Sequence, residues 1–391
     1  MTVHEPFTRQ ALAELLAFDA QPSLSLYMPT HRILAERAQD PIRYKNLVRQ
    51  LQSLLQERYP QQDPKPLIEP FLALEKDPSF WRSNGDGIAV FGTRDYFKVI
   101  SVHQPLPEGA FVQSHPVLKP LLRLEPSLER YQVLCLTRDE VWMYEGSSRQ
   151  LDKIELAPQV PRNQNDALGS ELTPSNQQGF PGGHGRSGER GDSMTHESAG
   201  GGKQDEINLD RERFFRAVDK AIEEHHSQPS GLPMLLVALP ENQAVFRAVS
   251  HNQQLLPKGI NNDPSLSSVE ELRTQCARLI QDIHEDRLID ALNRYGIAVG
   301  QGLAGARLAD IAHAAFDGRV ELLLVEADRQ IPGTLDKDNG TLILDNSGSK
   351  GAPDVLEELI LLVLRQGGEV VMLPPEHVMP TGTGAAAVLR F

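Results

Sequence analysis

The segment best equipped for chemistry runs Gly182-Gly183-His184-Gly185-Arg186-Ser187-Gly188-Glu189-Arg190-Gly191. Glycine opens positive-φ backbone to the chain, and successive N–H groups in such a loop can converge on an anion. No Gly-Lys-Ser/Thr closes the run and no strand enters it directly, so it is not a P-loop. A solvated linker explains the same composition. Other reactive side chains are poorly placed for catalysis. His225-His226 and His313 lack carboxylate or thiol partners at ligand spacing, so no metal or other cofactor is expected. Ser187 and Ser193 lack the strand–turn–helix frame of an activated serine, and Glu357-Glu358 reads as a solvated helix face.

A second constellation is basic. Between His31 and Arg49, five cations (Arg32, Arg37, Arg43, Lys45, Arg49) outnumber two anions (Glu36, Asp40). On a helical wheel, Leu47, Val48, Leu51, Leu54 and Leu55 centre roughly 80° from Arg43, whereas Lys45 and Arg49 fall near about 200° and 240°. Those two face away from the core, either as ordinary solvated charge or as contacts for RNA phosphates.

The elements that must hold these residues follow from periodicity and punctuation. Thr8–Phe18 has helical spacing, Leu24–Met28 is a strand ended by Pro29, and Asp40-Pro41 should cap and open the helix that carries the cations. A Pro-rich stretch leads to a hairpin of Gly87–Phe91 and Tyr96–Val102. Tyr131–Thr137, Val141–Tyr144 and Leu151–Leu156 alternate as an antiparallel meander. From 157 to 206 the only aromatic is Phe180, and ten of the chain's 30 glycines fall there, so a long mobile loop is expected. A helix capped by Asn208 or Asp210 follows, then the strand Met234–Leu239 and a helix from Glu241. Val269–Ile280, Arg287–Tyr295 and Arg307–Phe316 read as helices. The apolar strand Val320–Val325, the helix Asp354–Arg365, and the strands Glu369–Leu373 and Ala386–Phe391 complete a small α/β/α sandwich.

Length and charge bound the function. The 391 residues suffice for two or three domains of roughly 100–200 residues each. The net charge of −14 is uneven: the stretch up to 127 is neutral, that to 295 carries −8, and the rest −6. A broad cationic face for duplex DNA is excluded, but a local RNA contact on the neutral part is not. No apolar run reaches a membrane span and the first residues show no secretory pattern, so a cytoplasmic protein without membrane partners is expected. Cys135 and Cys276 fit neither a disulfide framework nor a zinc site.

Three stretches, in order, resemble a known family. PSLSLYMP with its following helix and NGDGIAVFGT resembles the N-terminal domain of archaeal and eukaryotic class-1 peptide-chain release factors. YQVLCLTRDEVWMYEG, a Gly-rich loop and DRERFFRAVDKAIEE resembles their central domain. GRVELLLVE, VLEELILLVLRQGGEVVMLP and TGTGAAAVLRF resembles their C-terminal domain, a sandwich shared with kink-turn-binding ribosomal proteins. The chain is thus identified as a bacterial-type member of the release factor and Pelota superfamily. The resemblance implies an α/β (α+β) protein of three domains: 1–127, 128–265 with a mixed sheet and the loop 157–206, and 266–391.

It also implies binding to the ribosomal A site, with rRNA and tRNA as RNA partners and a translational GTPase at the C-terminal domain. Arg43, Lys45 and Arg49, with His184, Arg186 and Arg190 of the loop, are the implied RNA contacts. No Asn-Ile-Lys-Ser stop-codon element occurs. The family's GGQ tripeptide has two imperfect counterparts, His184-Gly185-Arg186-Ser187-Gly188-Glu189 and Gly201-Gly202-Lys203-Gln204. Candidate catalytic positions are therefore Gly188, Glu189, Gly201, Gly202 and Gln204. A carboxylate at Glu189 would bring negative charge to the place where an oxyanion develops. The expectation is a factor for ribosome rescue, hibernation or stress control rather than a peptidyl-tRNA hydrolase. A true hydrolase and a non-ribosomal scaffold are the alternatives.

Overall fold

A computed structural model describes the chain except residues 1–4, 19–20, 32–33, 83–84, 125–129, 170–200, 337, 346–352, 376 and 378–381. The chain forms two compact units, one of Met1–Glu129 with Ile280–Phe391 and one of Arg130–Leu279.

The N-terminal part of the first unit runs β1 (Glu5–Pro6), α1 (Arg9–Leu16), β2 (Ser23–Pro29), α2 (Leu34–Arg37), α3 (Asp40–Arg58), α4 (Pro64–Glu75), β3 (Gly87–Gly92), β4 (Phe97–Val102), β5 (Gly109–Gln113) and α5 (Lys119–Leu122). Its sheet has the order β1-β4-β3-β2-β5. Alternation along the strands sends side chains to two cores. Leu24, Leu26, Met28, Ile88 and Val90 pack with Leu47, Leu51, Leu55 and Phe71 of α3 and α4. Tyr27, Ala89 and Phe91 face the opposite way, toward Ala11 and Leu15 of α1, Leu118, Leu121 and Leu361.

The second unit contains β6 (Tyr131–Leu136), β7 (Val141–Gly146), β8 (Leu151–Ile154), α6 (Gln164–Leu168), α7 (Gly201–Ile222), α8 (Gln228–Ser230), β9 (Met234–Ala238), α9 (Pro240–Val249), β10 (Ile260–Asn261) and the start of α10 (Val269–Gln301). The sheet order is β10-β9-β6-β7-β8. β10, β9 and β6 are parallel and β7 and β8 antiparallel, a mixed sheet. Phe214, Phe215, Val218 and Ile222 of α7 cover it.

The C-terminal part returns to the first unit with β11 (Ala304–Gly305), α11 (Leu308–Phe316), β12 (Val320–Glu326), β13 (Gly333–Leu335), β14 (Leu342–Leu344), α12 (Val355–Arg365), β15 (Glu369–Leu373) and β16 (Ala385–Leu389). Its main sheet is β11-β16-β12-β15. α11 and α12 pack on Leu323, Val325, Ala385 and Ala387. Leu288, Ala291 and Ala298 of α10 pack on Leu322, Leu324, Ala386 and Val388, which completes an α/β/α sandwich.

Four expectations are corrected. Asp40 is not the N-cap of α3 but its first residue. Its buried carboxylate accepts from the His31 N–H at 2.8 Å and lies 2.7 Å from His31 Nδ1. The Pro-rich stretch contains α4, because Asp63 caps it by accepting from Lys65 N at 3.0 Å and proline suits a first turn. The helices read at 269–280 and 287–295 are one helix, α10. Of the loop expected over 157–206, the described residues hold regular structure at both ends: Val160 is buried, α6 occupies 164–168, and α7 begins at Gly201, well before Asn208 or Asp210.

Candidate nucleic-acid interface

α3 presents its cations as the wheel suggested, with differing freedom. Leu47, Val48, Leu51 and Leu55 are buried, which turns the other side of the helix to solvent. Arg43 is tied back: its Nε lies 3.3 Å from Glu108, its side chain is 31% exposed, and its Nη1 is buried without a hydrogen-bond partner among the described residues. Lys45 is 50% exposed and 3.6 Å from Glu75 of α4, a pair that water and salt weaken. Arg49, one turn further on, is exposed and has no ion-pair partner among the described residues. Lys45 and Arg49 are therefore the exposed cations of α3 available to a phosphate, while Arg43 and Arg58, the latter donating to the Val112 carbonyl at 2.8 Å, serve the local fold.

The central candidates divide. His184, Arg186, Gly188, Glu189 and Arg190 lie outside the described residues, as does Arg32. Gly201, Gly202 and Gln204 lie in the first turn of α7. Their backbone is helical rather than extended, so this GGKQ run is the start of an element and not the tip of a loop. Just beyond α7 the helix widens into a π-turn, Glu223–Ser227. His226 sits there and accepts the Ala157 N–H on Nε2 at 3.1 Å; burial holds its pKa below the usual imidazole value. It is thus a neutral structural acceptor, and among the described residues no His, Cys, Asp or Glu cluster could hold a metal ion.

Sequence reasoning missed a polar node in the first unit. Glu357, read as part of a solvated face, is 1% exposed. Its carboxylate accepts from the backbone N–H groups of Leu118 and of Lys119, the latter at 3.1 Å. Burial is the main cause that pushes its pKa up to about 7, opposed by the Leu118 N–H, His115 and the Lys119 N–H, and reinforced by Asp354. Its neighbour Glu358 is also inward, with only 15% of the side chain exposed, and accepts from the Leu335 N–H. Lys119 Nζ reaches the Arg329 carbonyl and Asp354, the latter at 3.2 Å, while Tyr27 Oη donates to the Val117 carbonyl. The signal was in the spacing: Glu357 shares the i, i+3, i+4, i+7 stripe with Ile360, Leu361 and Leu364, which belongs to a core-facing side.

The mixed α/β make-up of the chain, with several sheets and helices packed on them, agrees with the fold class that the sequence resemblance implied. The sequence itself is similar to a release-factor family over its central part. Residues 130–319 match the family model described as bacterial archaeo-eukaryotic release factor family 3, a range that covers the whole of the second unit and continues to Arg319. No curated protein matches by sequence. Among solved structures, archaeal translation termination factor aRF1 aligns at 15% identity over 98% of this chain and 96% of its own, with a TM-score of 0.22. Archaeal Pelota, from a model of it bound to the ribosome with ABCE1, aligns at 12% identity over 99% and 95%, with a TM-score of 0.38. Saccharomyces cerevisiae Dom34, a termination-like factor that interacts with Hbs1, aligns at 11% identity over 78% and 75%, with a TM-score of 0.40. The family match over residues 130–319, rather than these low scores, carries the similarity. Among the described residues no helix is long and apolar enough to cross a membrane.

Proposed function

We propose that the protein is a ribosome-associated translation factor that enters the A site during rescue, hibernation or stress control, without releasing the nascent peptide. The observation that carries this reading is the family match over residues 130–319. Two features of the chain support the finer statement. Lys45 and Arg49 offer exposed positive charge on the neutral N-terminal part, where an RNA phosphate meets the least background repulsion. Gly201 and Gly202 are helical, unlike the glycine-permitted backbone that would orient a water at the ester, and the rival run carries Ser187 in place of Gly and Glu189 in place of Gln. On this reading the loop approaches the peptidyl-transferase region, rRNA and tRNA are bound, and the acidic C-terminal sandwich engages a protein such as a translational GTPase.

The test is sedimentation of the purified chain with ribosomes at low salt, with and without extracts from stressed cells. Co-migration is expected. Its absence in all conditions would overturn the reading and leave the scaffold alternative. Incubation with ribosomes carrying labelled peptidyl-tRNA separates the hydrolase: peptide release abolished by Gly202→Ala would replace a binding factor with an enzyme.

A further inference from the structure

The unit of Met1–Glu129 and Ile280–Phe391 encloses a cavity of about 270 Å³, between the segment that leaves β5 and the start of α12. The charged groups that line it are paired one by one. Arg123 Nη2 lies 2.5 Å from Asp328 and donates to the Ala327 carbonyl at 2.6 Å. Lys119 Nζ is 3.2 Å from Asp354, and Glu108 is engaged by Arg43 at 3.3 Å. Two acceptors are left over. Glu357 is hydrogen-bonded to no side-chain cation; its direct donors are the backbone N–H groups of Leu118 and Lys119, with His115 acting on it electrostatically. Gln113, 8% exposed, lines the same space, and its buried Oε1 has no hydrogen-bond partner among the described residues. A buried acceptor without a donor is costly and uncommon in folded proteins.

We propose that this cavity binds a primary ammonium group carried on a short alkyl chain, the ammonium donating to Gln113 Oε1 and to the remaining lone pair of Glu357. Four carboxylates and two cations line the space, which selects against an anion. Backbone amides already occupy most of the Glu357 acceptor sites, so a point-like ammonium suits what remains better than the two-pronged guanidinium fork. A metal ion is disfavoured, since no His, Cys, Asp or Glu cluster among the described residues could ligate one. Apart from Gln330 the rest of the wall is apolar, with Phe111, Val117 and Pro120 against which methylenes would lie. The volume falls at or below the small end of ligand sites, which matches a ligand of a few heavy atoms. This inference stands independently of ribosome binding.

The test is calorimetric titration of the full chain with n-butylammonium, spermidine, Nα-acetyl-lysine methylamide and, as a neutral control, n-butanol. Saturable binding of butylammonium but not butanol is expected, weakened roughly tenfold or more by Gln113→Leu, which removes the acceptor for a charged donor. Gln113→Glu should tighten it, and this gain separates a ligand role from a folding defect in the Leu variant. Preference for spermidine identifies a free polyamine as the occupant; preference for the lysine derivative identifies a protein side chain. No saturable heat with any ammonium at about 10 mM, where millimolar binding would register, overturns the proposal. Equal affinity in Gln113→Leu and Gln113→Glu does the same.

Discussion

Replacing Glu357 with Gln should flatten the pH dependence of stability in the unit that contains α12. The carboxyl is pushed from 4.5 up to about 7, chiefly by burial. Between those two pH values the folded state keeps a proton that the unfolded chain has lost. Stability therefore falls as pH rises through the window and levels off above it. At about 1.36 kcal/mol per pH unit, the full swing is about 3 kcal/mol. The amide of the Glu357→Gln variant keeps a carbonyl acceptor for the Leu118 and Lys119 N–H groups but does not titrate. Groups that face this node, among them His115, Asp354, Glu358, Lys119 and Tyr27, are common to both proteins, so their effects largely cancel in the difference. The chain has two tryptophans, Trp81 in this unit and Trp142 in the other. In a Trp142→Phe background, Trp81 fluorescence follows urea unfolding of the right unit. The stability difference between this parent and its Glu357→Gln variant should change by about 2–3 kcal/mol between pH 5 and pH 8. Parallel stability curves across that range would refute the reasoning.

Three further outcomes follow from the packing. Gly92→Ala would place a Cβ 2.4 Å from Cε2 of the buried Phe71, and overpacking of this kind should lower stability by about 1–3 kcal/mol in a urea titration. Tyr27→Phe removes the buried hydroxyl that donates to the Val117 carbonyl, leaving that acceptor unsatisfied, and should cost about 1–3 kcal/mol by the same assay. Cys135 and Cys276 are buried thiols whose pKa values are raised, mainly by burial, that of Cys276 to about 12. Both should resist a disulfide reagent at pH 8 until denaturant is added; prompt labelling of the native protein would contradict their burial.

Local patterns are legible in the sequence where one physical signal dominates. The leucines of α3 put Lys45 and Arg49 outside because a 3.6-residue period fixes which side is buried. The run VELLLVE could only be a strand covered on both faces, and α10 and α12 do cover β12. Errors arose where signals conflicted. Pro64, Pro66 and Pro70 hid α4, although its first two prolines sit where no intrahelical N–H is needed. The polar stretch Gln281–Asp286 masked the continuity of α10, which keeps such residues exposed or half-exposed. The role of Glu357 is hidden in the sequence because its environment is non-local: the amides it binds belong to residues more than two hundred positions away. The pairing of the N-terminal and C-terminal parts in one unit was illegible for the same reason. Nothing in either segment's periodicity records the other.

The proposal that α3 brings the protein to ribosomal RNA is tested most directly by sedimentation with ribosomes over a salt series. The wild-type chain is compared with the Lys45→Glu/Arg49→Glu variant. If the two side chains neutralise phosphates, the variant should bind more weakly at low salt, and its slope of log affinity against log salt should be shallower by about 1–2 units. Arg43→Gln should leave that slope nearly unchanged, since Arg43 is held by Glu108. Identical affinity and slope for wild type and the double reversal would contradict the account.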